Sequence, residues 1–139
     1  SSFGWDCKAN EKFLKKIVNS FQNNNIRVSL FINPSNKNLK FLEKISPNRV
    51  ELYTHYYAKK FLKNKKLAIK PYVEVVKYLK KNFPQIEINA GHDLNLQNLG
   101  YFLKKIPSVK EVSIGHAIVC DVIEFGLKNT IKKYLNIIS

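Results

Sequence analysis

EINAGHDL, residues 87–94, decides how this chain is read. Strand-favouring residues run into Ala90-Gly91-His92-Asp93, so a short strand ends on a glycine and a histidine. EVSIGHAI, residues 111–118, has the same shape, a short apolar strand followed by Gly115-His116. Two Gly-His pairs at two strand ends read as parts of one site. Upstream, IRVSLFIN (26–33) and RVELYT (49–54) supply two more strand-type runs. Helical patterns separate them. NEKFLKKIVNSF (10–21) puts Phe13, Leu14, Ile17, Val18 and Phe21 on one face. NLKFLEKI (38–45) and NLQNLGYFLKKI (95–106) follow the first and third strands, and IEFGLKNTIKKYLNII (123–138) closes the chain. PYVEVVKYLKKNF (71–83) precedes the third strand, with Pro71 suited to a first helical turn, and the basic stretch 56–70 before it reads as a long linker with room for a short extra helix.

The order is a helix followed by four β-α units. Strict alternation predicts parallel strands with helices outside them. Four units take roughly 110 residues, near half of a (β/α)8 barrel of about 250. Two α/β architectures fit, a small open sheet or the C-terminal half of a barrel, and residues 1–139 read as one region.

Composition narrows the function. With 139 residues and 45% hydrophobic content the chain can bury a core. No apolar run reaches the roughly 20 residues of a membrane span, and the start lacks a signal-peptide pattern, so a cytoplasmic location is expected. Cys7 and Cys120 suggest neither a metal pair nor a disulfide framework. The net charge of +14 asks for an anionic partner. Only Arg27 and Arg49 are arginine, the residue suited to bidentate phosphate and base recognition. The lysines are spread over helical faces of the kind most often merely solvated, so nucleic acid is disfavoured, and a phosphorylated small molecule is an equally good use of the positive charge.

In parallel α/β folds ligands bind at the C-terminal strand ends. Those ends carry Asn33-Pro34, then Glu51 with Tyr53 and Thr54, then Gly91-His92-Asp93, then Gly115-His116. Val50 and Leu52 flank Glu51, so its carboxylate faces the side opposite its apolar neighbours, the interior if the sheet closes. The plain alternative is a solvent-facing position on an edge strand. His92 is a candidate general acid or base; the alternative is a capping or surface histidine. Gly91 would permit a sharp exit that aims His92 at the site. The N–H groups at Gly115 and His116, opening a turn or helix, suit a phosphate.

RVSLFIN, VELYTHYYA, INAGHDL and SIGHAI with a later GL resemble, in order, the second half of the pyridoxine 5′-phosphate synthase family. SSFGWDC is similar to that family's T-E-G-G-L-D-V. The resemblance implies the C-terminal half of a TIM barrel and a transferase needing no cofactor or metal. Its reaction condenses 3-amino-2-oxopropyl phosphate with 1-deoxy-D-xylulose 5-phosphate to pyridoxine 5′-phosphate, phosphate and water. It implies His92 as proton donor, Glu51 as transition-state stabiliser, and Asp93, Gly115 and His116 at the amino-ketone phosphate. It also implies a homo-oligomer. Asp93 stands where the family has glycine, Tyr53 and His55 stand for the histidine and glycine of H-T-G, and Cys120-Asp121 for a common Gly-Arg. The family's V-N-I-D-H, H-x-R-x-D-R-R-H and N-x-E-x-A motifs are not in these 139 residues. A fragment of a longer enzyme, a half-barrel needing its N-terminal partner, and a degenerate half-barrel that only binds phosphorylated metabolites all remain open, as does a basic RNA-binding module.

Overall fold

A computed structural model describes residues 2–138. Its elements are α1 (Glu11–Asn23), β1 (Ser29–Ile32), a 3-10 turn (Leu39–Phe41), α2 (Leu42–Ile45), β2 (Arg49–Tyr53), α3 (His55–Phe61), α4 (Lys65–Asn82), β3 (Glu87–Gly91), α5 (Leu99–Lys105), β4 (Val109–Ser113), α6 (His116–Phe125) and α7 (Leu127–Ile138). The strands form one sheet in the order β1-β2-β3-β4. Every neighbouring pair is parallel. The α/β alternation read from the sequence therefore holds.

The register sorts the side chains into two faces. Leu30, Val50 and Ile88 lie abreast, as do Ile32, Leu52 and Ala90. All six are buried, in one cluster with Leu14 and Val18 of α1, Ile45 of α2, Tyr57 of α3, Leu79 of α4, Phe102 of α5 and Tyr134 of α7. The helices thus cover this apolar face. Burial of each such aliphatic side chain contributes about 1.5–3 kcal/mol. The α1 stripe is narrower than its sequence suggests: Leu14 and Val18 are buried, whereas Phe13 and Phe21 are largely exposed. Phe13 instead meets the Trp5 ring at 6.0 Å.

The opposite face is polar, in rows set by the same register. Ser29, Arg49 and Glu87 align; then Phe31, Glu51, Asn89 and Glu111; then Tyr53, Gly91 and Ser113 at the C-terminal ends. Arg49 pairs with Glu87 and Glu111, and Arg27 also meets Glu111 at 3.0 Å. The Asn89 amide donates to Glu111 at 3.0 Å. Both arginines are thereby committed to ion pairs within the chain, Arg49 nearly buried and Arg27 exposed.

Three boundaries differ from the sequence reading. Pro71 is not in a first turn: α4 starts six residues earlier, where the Asn64 side chain accepts from the Leu67 N–H at 3.0 Å. The stretch read as a linker is instead α3 and the start of α4. The final helical pattern breaks at Gly126, whose positive φ of 74° ends α6 before α7 begins. The start of the chain lies against β1. Trp5 donates to the Phe31 carbonyl at 2.8 Å, and a Cβ on Gly4 would collide with the Ile32–Asn33 backbone. No described helix is long and apolar enough to cross a membrane.

The hydrogen bond from Arg49, with the Arg27 ion pair, holds the Glu111 carboxyl below its usual value despite some desolvation. A carboxyl lowered in the folded state stabilises above its unfolded pKa of about 4.3, and this is lost as pH falls through the folded value. Urea unfolding between about pH 6 and pH 3 is expected to show a steeper acid loss for the native chain than for Glu111→Gln. Equal slopes would contradict the network.

Candidate active site

Parallel pairing brings the C-terminal ends of β3 and β4 side by side, Gly91 opposite Ser113. The two loops that leave them enclose one open pocket lined by His92, Asp93, Ser113, Ile114, Gly115 and His116. His92 of the first Gly-His pair and both residues of the second therefore line one pocket. Helix α6 opens at His116 with Gly115 as its cap residue. No atom lies within 4 Å of where a Cβ on Gly115 would sit, and its φ of −106° is an ordinary value. That position is open rather than crowded.

Glu51 stands beside this pocket. Its carboxylate accepts from the Ser113 hydroxyl at 3.3 Å. Burial pushes its carboxyl up; the Ser113 bond opposes this, and the negative charge of Glu111 adds to the rise. A Cβ on Gly91 would overlap a Glu51 carboxylate oxygen and sit 3.0 Å from the Ser113 Cβ. The Glu51 oxygen is the end of a flexible side chain, whereas the Ser113 Cβ is fixed to the neighbouring strand, so Gly91 sits where there is little room between strands. The sharp exit expected at Gly91 is made instead by positive φ at His92 (90°) and Asp93 (58°), a conformation that costs a residue such as histidine about 1–2 kcal/mol.

Thr54, fully buried, holds that turn in place. Its N–H donates to the Gly91 carbonyl at 2.9 Å, and its hydroxyl lies against the carbonyls of both Gly91 and His92. Tyr53 packs edge-on to the His92 ring at 4.8 Å and stacks on His55 at 5.7 Å. His55 Nδ1 hydrogen-bonds Asp93 Oδ2 at 2.6 Å. His92 Nδ1 lies 3.1 Å from the same oxygen. Partial burial works to raise the Asp93 carboxyl, but the two histidines outweigh it and hold it below its usual value. Asp93 is therefore turned toward His55 and His92. Sequence reasoning placed Thr54 at a strand end without giving it a role, and did not single out His55 as part of the site. The signal for His55 was its departure from the family's H-T-G pattern. Asp121, another departure, accepts from the Tyr134 hydroxyl at 2.6 Å and ties α6 to α7.

The whole sequence, residues 1–139, matches a family model, that of the pyridoxal phosphate biosynthesis protein PdxJ. The chain belongs to the PdxJ family. It is 46% identical over 135 residues to the pyridoxine 5′-phosphate synthase of Cytophaga hutchinsonii, covering 97% of this chain and 56% of that protein. The synthase of Bacteroides thetaiotaomicron is 45% identical over 136 residues, with 98% and 56% covered. That of Christiangramia forsetii is 38% identical over 138 residues, with 99% and 57% covered. The chain thus spans little more than half the length of these PdxJ relatives. Its four parallel strands suit half of an eight-stranded barrel.

Gly91→Ala is expected to destabilise the fold by about 1–3 kcal/mol through overpacking against Glu51, as read by urea unfolding. Removing one of the two obstacles in Gly91→Ala/Glu51→Ala should recover part of that loss, the Ser113 Cβ remaining. A Gly91→Ala variant as stable as the native chain would show that the close approach is not enforced.

Proposed function

We propose that this chain forms the C-terminal half of a pyridoxine 5′-phosphate synthase barrel. The reaction is the condensation of 3-amino-2-oxopropyl phosphate with 1-deoxy-D-xylulose 5-phosphate, giving pyridoxine 5′-phosphate, phosphate and water. The observation that carries the reading is the meeting of the two Gly-His loops in one pocket beside Glu51.

The roles follow from position. His92 is the proton donor: Thr54 holds its backbone, Tyr53 its ring, and Asp93 lies at Nδ1, leaving Nε2 as the ring position for proton exchange with substrate. Glu51, beside the pocket on the Ser113 hydroxyl, stabilises the transition state. The N–H groups of Gly115 and His116 at the start of the ten-residue α6 hold the amino-ketone phosphate. A carboxylate facing that phosphate would cost about 4 kcal/mol per charge pair at 4 Å and an effective dielectric of 20. Asp93, bonded to His55, is turned to a different partner. The reading needs no cofactor and no metal for the condensation itself.

The chain as described, one α/β unit, offers an uncovered polar face and an apolar strip on α6 and α7. Val119, Ile123, Leu127 and Leu135 are all more than half exposed there. Such surfaces and sheet edges favour association, with an N-terminal half-barrel or with further copies in a homo-oligomer. The proposed setting is cytoplasmic. Nucleic acid is disfavoured because both arginines are held in ion pairs.

The 139-residue chain alone is expected to form no pyridoxine 5′-phosphate. Fused behind the front half of the Cytophaga hutchinsonii relative it should turn over both substrates, with His92→Ala lowering kcat by about 100-fold or more. Turnover by the chain alone, or a fusion indifferent to His92→Ala, would refute the reading.

A further inference from the structure

The chain has three histidines, and two of them converge on one carboxylate. Nδ1 of His55, Nδ1 of His92 and Oδ2 of Asp93 come together at 2.6 and 3.1 Å, and one ligand atom from each residue lies within 4.8 Å of the others. Donors on a tetrahedral ion with bonds of about 2.0–2.1 Å sit roughly 3.4 Å apart. To surround an ion the 2.6 Å pair has to open and the widest pair has to close. His92 Nδ1 is buried and has no aligned hydrogen-bond partner, which is costly for a ring nitrogen unless something else satisfies it. The rings have little freedom, since Tyr53 stacks on one and meets the other edge-on. The left-handed backbone at both His92 and Asp93 keeps the two donors adjacent at a cost in strain. The His55 and Asp93 side chains are each about one-third exposed, so an ion can enter from solvent.

We propose that His55, His92 and Asp93 form a three-ligand site for a divalent transition-metal ion of the zinc class. Two imidazoles and a carboxylate suit such ions, and three protein ligands leave at least one coordination position open. Because His92 and Asp93 line the pocket, the open position is available to an anionic oxygen entering it. Bound there, the ion reverses the local charge that Asp93 alone would present to an anion. It also occupies His92 Nδ1, so metal loading and the protonation state of this ring become linked. The site shares His92 with the proposed synthase pocket, but binding is measured without substrate or turnover, so the two readings fail separately.

The test uses zinc chloride and cobalt(II) chloride with a Cys120→Ser chain, since His116 and Cys120 are spaced one helical turn apart on α6 and could capture metal adventitiously. Calorimetry is expected to give one equivalent of zinc, and cobalt(II) a visible spectrum of low coordination number. His55→Ala and Asp93→Asn should each weaken zinc by more than the roughly 10-fold that loss of an outer-shell partner costs. Without any substitution at the site, zinc should shift the imidazole NMR signals of His55 and His92 and leave those of His116 in place. No stoichiometric binding, binding indifferent to both variants, or shifts confined to His116 would overturn the proposal. The trio would then be a hydrogen-bonded His–Asp–His relay.

Discussion

Parallel pairing of β2 with β3, in the register that sets Leu52 beside Ala90 and Tyr53 beside Gly91, is the constraint on which the site depends. Strand side chains alternate between faces. Once Val50, Leu52, Ile88 and Ala90 are packed under the helices, Arg49, Glu51 and Asn89 must share the other face. Shifting either strand by one residue would send these polar groups into the apolar core. The same register places a residue without a side chain opposite the Glu51 carboxylate. It also brings the Thr54 hydroxyl under the His92 carbonyl. Packing of the core and placement of the candidate acid, base and phosphate groups are therefore one requirement.

Much of this was legible in the sequence. The four strand runs, their order and their parallel pairing followed from period-2 alternation separated by helical patterns, because those signals are local and repeated. The meeting of the two Gly-His loops followed from the rule that strand ends carry sites. What escaped was decided by contacts between distant residues. Gly91 reads like a turn glycine, but its function is to leave room for a side chain from the neighbouring strand 40 positions earlier. Pro71 reads like a helix start because proline favours a first turn. The Asn64 cap and the burial of Ala68 and Ile69 extend α4 past it. Asp93 reads as a charge misplaced beside a phosphate until His55, 38 positions away, supplies its partner.

Charge is organised on the same principle. The net +14 is carried mainly by lysines, whereas the two arginines bind Glu87 and Glu111 across the polar face. That network lies below the row containing Tyr53, Gly91 and Ser113, so structural ion pairs and candidate chemistry occupy different levels of one face. Three of the departures from the family pattern, Tyr53, His55 and Asp93, fall on the site level. His55 and Asp93 are one hydrogen-bonded pair, and Tyr53 packs on His55, which makes the three departures parts of a single rearrangement.

The central claim is that the loops after β3 and β4 form one anion-binding pocket whose donors are the N–H groups opening α6. Backbone amide NMR during titration with inorganic phosphate tests it most directly. The account predicts saturable shifts largest at Gly115 and His116, with smaller ones at His92 and Ser113 and none tracking the lysine faces of α1 and α4. Shifts spread over those lysine faces, with Gly115 and His116 unmoved, would contradict it.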